Sequence, residues 1–386
     1  MIQGLIISDI HIGVFPVMKL LNELNYCFFN EIERMDSLDF IVIDGDFFDH
    51  MIYLGSDEAK IAYYVMKKII NVCKRFNSKL RIVYGTENHE CNQYNIFFSE
   101  LSMETDVDIK IIKTVEEEEL FDDFYVLYLP EEMMLDKKEY YKEYFNNEKK
   151  YDYIFGHGII REAMTNAVRH IETTKSTSKY PKVPIFSTAE LEYMCKGETY
   201  FGHYHVNTEL NGDVFYVGSF SRWCFGEEES KGFYKVSFDN GEYEHEFIEN
   251  TMCDKYITHT FQAEHKIFDS DNLDKSLQAM DTILELSPDD KTRIVFDIPK
   301  DYTESESFIK YIESKYSENK NIKLKFNKDV IRKKKDTNTE ENNKINDENR
   351  YIFDKNLDKE EIYNKYIKTK FNHDISVEKI KEYLYS

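Results

Sequence analysis

Three apolar runs of strand length alternate with two stretches of helical spacing at the start of the chain, and this alternation constrains the fold more than any other feature. Residues 3–9 (QGLIISD), 39–46 (DFIVIDGD) and 79–85 (KLRIVYG) read as buried strands. Between them, Val17, Leu20, Leu21, Leu24, Phe28 and Ile32 recur at helical spacing over residues 16–35, as do Ala62, Met66, Ile69, Ile70 and Cys73 over 57–76. Strand, helix, strand, helix, strand predicts an α/β fold with a mostly parallel sheet.

Further strands are expected at 123–130, 151–158, 198–205, 213–219 and 231–238, the last two pairing as a hairpin in a second sheet. A first domain then covers residues 1–250. Residues 254–327 read as a small α+β unit in which strand-like KYITHTF, TRIVFDI and NIKLKF are separated by helical spacing at 273–286 and 305–316. Residues 333–349 are polar and low in complexity, which predicts a flexible linker. Residues 351–386 regain apolar periodicity through Ile362, Tyr366, Ile367, Val377, Ile380 and Leu384, which predicts two short helices too small to bury a core alone.

The bulk numbers bound the class. At 386 residues the chain is long enough for two or three domains. No run approaches the ~18 apolar residues of a membrane helix. The opening MIQGLIISDIHIG lacks a basic segment ahead of its apolar stretch and is not expected to be a signal peptide. The six cysteines form no CxxC pair, which argues against a disulfide framework or zinc ribbon and fits a reducing cytoplasm. A net charge of -23 argues against holding nucleic acid by bulk electrostatics, but not against meeting phosphate through bound cations.

The polar residues fall where the strands stop. The five ends carry Asp9 and His11, Asp46 and Asp49, Asn88 and His89, His157, and His203 with His205. Ligands of open α/β sheets bind outside the carboxyl ends of strands, so these groups can converge on one rim. Any one of them alone reads as a turn or a satisfied polar residue; five in succession, each after an apolar run, read as a site. Carboxylate, imidazole and carbonyl donors together suit a pair of divalent ions, manganese before structural zinc, ~3.5–4 Å apart and able to clamp a phosphate.

In this order the motifs resemble those of the calcineurin-like metallophosphoesterases: DxH at Asp9/His11, GDxxD at Gly45-Asp46/Asp49, NH[DE] at Asn88-His89-Glu90, GH at Gly156-His157 and GHxH at Gly202-His203-Tyr204-His205. Residues 216–238 (YVGSFSRWCFGEEESKGFYKVSF) and 114–132 further resemble SbcD-type nucleases, phage or phage-like forms included. The resemblance covers about residues 1–250. It implies an α/β metallophosphoesterase β-sandwich flanked by helices, a small capping domain that meets DNA at 254–327, and C-terminal helices at 351–386. It implies that Asp9, His11 and His205 hold one metal, that Asn88, His157 and His203 hold the other, and that Asp46 bridges them. It also implies that His89 binds no metal but contacts the scissile phosphate or protonates the leaving oxygen. Asp49 maps to no metal ligand and is expected as a strand-end or helix-cap residue.

The resemblance further implies a DNA exonuclease and endonuclease, cytoplasmic in a bacterial or phage-infected cell. Its partner would be an SbcC-type coiled-coil ATPase gripped by residues 351–386, in a heterotetramer containing two copies of this chain. A phosphatase or small-molecule phosphodiesterase on the same site, and a catalytically weakened scaffold, stay open as alternatives. The net basic segment 161–184 offers Arg161, Arg169, Lys175, Lys179 and Lys182 as phosphate contacts or as a solvated loop. One departure stands out: Thr86 and Glu87 separate Gly85 from Asn88, where the family pattern has them adjacent. The expectation is a bulged loop from which Asn88 still reaches the metal, with Glu87 solvated.

Overall fold

The computed structural model describes residues 1–14, 16–53, 55–86, 93–145, 151–163, 182–263, 266–268 and 273–331. The segments 333–349 and 351–386 therefore lie outside the described residues. The chain divides into two compact units, Met1–Cys253 and Asp254–Ser386.

The strands of the first unit are, in chain order, β1 (Ile2–Ile7), β2 (Phe40–Asp44), β3 (Lys79–Val83), β4 (Ile109–Ile112), β5 (Glu116–Phe121), β6 (Phe124–Leu129), β7 (Tyr151–His157), β8 (Ile159–Ile160), β9 (Ile185–Phe186), β10 (Cys195–Gly202), β11 (Thr208–Glu209), β12 (Val214–Tyr216), β13 (Gly232–Asp239) and β14 (Glu242–Glu249). They build two mixed sheets, ordered β14-β13-β1-β2-β3-β4 and β11-β12-β10-β7-β6-β5, with β8 and β9 paired apart. In the first sheet β1 to β4 run parallel and β13 joins β1 antiparallel. In the second, β6, β7, β10 and β12 run parallel between antiparallel β5 and β11.

The side-chain alternation of β2 shows why the sheets pack face to face. Phe40 and Val42 point into a core shared with Val126, Tyr128, Tyr153, Phe155 and Tyr200 of the second sheet. Ile41 and Ile43 point the other way, onto Ala62, Val65, Met66, Ile69 and Ile70 of helix Asp57–Phe76. That helix starts at Ser56, whose side chain accepts from the Ala59 amide, and stops at Asn77 in the left-handed conformation. The outer face of the second sheet is covered by helix Thr188–Met194 through Leu191 and Met194, against Ile154 and Phe201. The 16–35 spacing is realised as helices Val17–Leu24 and Asn30–Arg34 joined by a π-turn, Asn25–Phe29, which keeps Leu24, Phe28 and Ile32 all buried.

The expected hairpin between 213–219 and 231–238 does not form. β12 lies in the second sheet and β13 in the first, because the chain crosses between sheets through residues 217–231. The hairpin partner of β13 is β14, joined through Asn240 and Gly241, both at positive φ. Asn-Gly between strands is a strong hairpin signal. It was obscured by the charged, solvent-facing character of EYEHEFIE, an edge strand protected against further pairing.

The second unit holds β15 (Tyr256–Phe261), β16 (Lys291–Pro299) and β17 (Ile322–Val330), all parallel, with helices Leu273–Leu286 and Ser305–Tyr316 as the connections. This is a βαβαβ alternation and not the α+β arrangement expected, since parallel neighbours need a crossover between them. It has its own core, in which Phe261, Ile294 and Phe296 meet Leu277, Met280, Phe308 and Ile312. Among the described residues no helix is long and apolar enough to cross a membrane.

Candidate metal centre

Parallel strands deliver their carboxyl ends to one edge, and here two sheets do so together. Asp9 follows β1, Asp46 follows β2, His157 ends β7, and His203 and His205 follow β10. The loops after β1 and β2 stay paired beyond the strands: the Asp9 amide donates to Gly45 O (3.2 Å), that of His11 to Asp46 O (3.0 Å) and that of Ile12 to Phe47 O (2.9 Å). The second sheet is tied to the first where the His203 amide donates to both Asp9 carboxylate oxygens, each at 3.2 Å. Gly202 permits this approach: a Cβ there would sit 2.1 Å from Ser8 Oγ and 2.5 Å from Asp44 O.

Backbone strain concentrates at the same rim. Of the eight described non-glycine residues at positive φ, four are Asp9 (47°), His11 (48°), Asp46 (46°) and His203 (96°). Such conformations cost about 1–3 kcal/mol each and persist where the surroundings over-determine them, which is common at functional sites.

Among the described residues two groups of potential metal-binding side chains result. Asp9, His11 and His205 form one and Asp46, His157 and His203 the other, with the donor atoms of each group within 4.8 Å of one another. His11 Nε2 lies 3.7 Å from Asp9 Oδ1, and His205 Nε2 lies 3.8 Å from the same oxygen. Asp46 faces both groups: its Oδ2 is 3.2 Å from His157 Nε2 and 3.8 Å from His11 Nε2. Asp9, His11, Asp46 and His157 are buried, whereas His203 and His205 are partly exposed.

The charges are mutually compensated. Burial raises the Asp9 carboxyl, but the neighbouring His11, His157 and His205 outweigh it and hold the group well below the usual carboxylate range. Burial likewise opposes ionisation of Asp46, and His157 more than offsets it. Burial pulls His11 down, yet Asp49 and Asp9 push it up to about 9; His157 is raised by Asp46 against the same penalty. His203 goes the other way, to about 4, through burial and the charge of His157. Protons on His11 and His157 thus neutralise carboxylates that a divalent cation could neutralise in their place. Buried carboxylates and convergent imidazoles are a donor set suited to such ions, and both triads are able to hold one.

The remaining sequence expectations divide. Asn88, His89, Arg169, Lys175 and Lys179 lie outside the described residues, as does Glu87. Arg161 is in a short turn, Arg161–Ala163, and exposed; Lys182 is exposed and its backbone pairs with Met134. Asp49 is more than an end residue, because its Oδ1 lies 3.3 Å from His11 Nδ1 and its Oδ2 is 3.0 Å from His50 Nδ1. Thr86, the first residue of the insertion, is built into the site. Its amide donates to Asp46 Oδ1 at 2.7 Å, and its hydroxyl is 3.3 Å from Asp46 Oδ2. Gly85 lets the backbone come this near, as a Cβ would meet Asp46 N and Oδ1 at 2.3 Å.

Four residues near the rim were not singled out from sequence. Ser8 donates to Asp9 Oδ2 (2.5 Å) and is 2.6 Å from Asp44 O. Trp223, the one tryptophan of the chain, packs edge-to-face on His11 (5.0 Å) and His205 (4.9 Å). Glu131 lies 3.3 Å from His203 Nδ1 and Glu227 lies 3.2 Å from His205 Nδ1. Trp223 and Glu227 lie in the 216–238 segment and Glu131 in 114–132, but the resemblance gave none of them a role.

The sequence matches no family model and no curated protein. A solved structure aligns with 64% of this chain and 99% of its own length at a TM-score of 0.33 and 12% identity, a likeness that carries no argument.

Proposed function

We propose that the chain is a metal-dependent phosphoesterase of the calcineurin-like metallophosphoesterase type, acting as an SbcD-type nuclease subunit that hydrolyses phosphodiester bonds in DNA. The observation that carries the phosphoesterase reading is Asp46, which faces both His/Asp triads at once. The nuclease reading adds the resemblance of residues 216–238.

A pair of divalent ions, manganese by the donor set, would polarise the phosphoryl oxygens and make water nucleophilic near neutral pH. Asp9, His11 and His205 would hold one ion and His157 and His203, with Asn88, the other, with Asp46 between them. Trp223 packs edge-to-face on two residues of the first triad, His11 and His205. A phosphate would approach the partly exposed His203 and His205. His89 would protonate the departing oxygen, which is general acid catalysis by a residue placed next to a ligand. The acidic surface of the chain makes bound cations the means of meeting a DNA backbone. An SbcC-type ATPase held by residues 351–386, and pairing of two copies, extend the same reading.

The test is manganese-dependent cleavage of single-stranded DNA beside hydrolysis of a phosphodiester and a phosphomonoester of p-nitrophenol. Cleavage of DNA and diester, abolished by His89→Ala with manganese still bound, is the expected result. Turnover of the monoester alone would leave a phosphatase; no turnover of any substrate with both ions bound would leave a scaffold.

A further inference from the structure

Each of the four described site histidines has its Nδ1 beside an acceptor that is not part of either triad. For His157 it is Asp44 O, at 2.9 Å. For His11 it is Asp49 Oδ1, at 3.3 Å. For His205 it is Glu227 Oε1, at 3.2 Å, and for His203 it is Glu131 Oε2, at 3.3 Å. An imidazole that donates from Nδ1 has its tautomer and ring orientation settled, with Nε2 left as the free donor for a metal. We infer that Glu227 is a positioning residue that aims His205 at its ion, since the opposite nitrogen, Nε2, faces Asp9 Oδ1 at 3.8 Å. This rests on the metal-centre reading above.

Glu227 has the surroundings of a residue kept for such a task. It is nearly buried, and burial alone would raise its carboxyl; contact with His205 and Lys231 holds it below the usual range. Its Oε2 accepts from the amides of Trp223 (3.1 Å) and Cys224 (3.4 Å), which leaves Oε1 on the imidazole. Lys231, 1% exposed, lies 3.9 Å from Oε1 and donates to His205 O at 2.5 Å. The loop thus grips His205 at both its backbone and its ring. A buried carboxylate is tolerated only when it is bonded in this way.

The second triad differs, because there the nitrogen beside the carboxylate, His203 Nδ1 at 3.3 Å from Glu131 Oε2, is also the one turned to Thr86. The Glu131 amide donates to Tyr84 O at 3.3 Å, which ties it to the end of β3 just ahead of the insertion. Thr86 Oγ1 sits 3.4 Å from both Glu131 Oε2 and His203 Nδ1 and 3.3 Å from Asp46 Oδ2. Thr86 therefore joins Glu131 to the carboxylate that faces both triads.

The experiment measures manganese binding by full-length protein in solution, from the free-ion paramagnetic resonance signal, and locates bound ions by anomalous scattering from crystals at limiting manganese. Glu227→Ala should weaken one of the two binding steps ~10–100-fold and lower occupancy at Asp9/His11/His205 first. The Gln variant, which keeps an oxygen for Nδ1–H but loses the charge, should fall between Ala and wild type; it also serves if the Ala variant does not fold. A purely structural role would lower metal-free melting and both steps alike, and that outcome overturns the assignment. So do unchanged midpoints in the Gln and Ala variants, or loss at the opposite triad. Absence of manganese from both triads of the wild-type protein would instead remove the metal centre itself.

Discussion

The Nε2 of His157 lies 3.2 Å from the Oδ2 of Asp46, a contact between the carboxyl ends of two different sheets. The same oxygen is 3.8 Å from His11 Nε2 in the neighbouring triad. One carboxylate therefore links two groups of ligands that the chain supplies from four strands.

Asp46→Asn tests that link. The amide keeps the size of the side chain but loses the charge that both triads face, and its nitrogen is no ligand. Binding of both manganese ions should weaken, not of one. Calorimetric titration checks this, and a variant that retains two ions at wild-type affinity would show that the bridge lies elsewhere.

The proton on His11 gives a pH dependence. Its pKa rises from 6.5 unfolded to about 9 folded, because Asp49 and Asp9 outweigh burial. The stability it contributes is complete below pH 6.5 and is lost as the pH rises through about 9, so metal-free protein should melt lower at pH 9 than at pH 6.5. Metal must displace the same proton, so manganese affinity should rise with pH over that interval and level off above it. Thermal melts without metal, and titrations in buffers of different ionisation heat, read the two effects separately. An affinity that falls over this range contradicts the assignment of His11 as a ligand.

Gly202→Ala probes the seam between the sheets. The added methyl would lie 2.1 Å from Ser8 Oγ, 2.5 Å from Asp44 O and 2.6 Å from His157 Nδ1, and one of these is backbone that cannot swing away. Overpacking of this kind destabilises by about 1–3 kcal/mol. Urea denaturation should report a loss of that size and manganese titration a weaker second ion. Gly55→Ala, where nothing lies within 4 Å, is the control and should change neither.

Much of this molecule was legible because burial leaves a period in the sequence. The spacing over 57–76 coincides with helix Asp57–Phe76, and the apolar runs before Asp9, Asp46 and His157 are strands β1, β2 and β7. Strands without an apolar run were missed: β5 is EEEELF and β14 is EYEHEFIE, both at sheet edges, where only one face needs to be apolar. The pairing of 213–219 with 231–238 failed because closeness along the chain does not say which sheet a strand joins.

What the sequence alone determined is the donor set and its placement at strand ends, since strand length and the residue types that follow each strand are local properties. Only the tertiary structure decided how those donors are grouped and held. That Asp46 faces both triads, that Thr86 bonds to it, that Glu131 lies beside His203 and that Glu227 stands behind His205 depend on contacts between segments brought together by sheet order and by the packing of two sheets. No local pattern encodes such contacts, because a carboxylate behind an imidazole is ordinary in sequence and acquires its role only from a distance of about 3 Å across the fold.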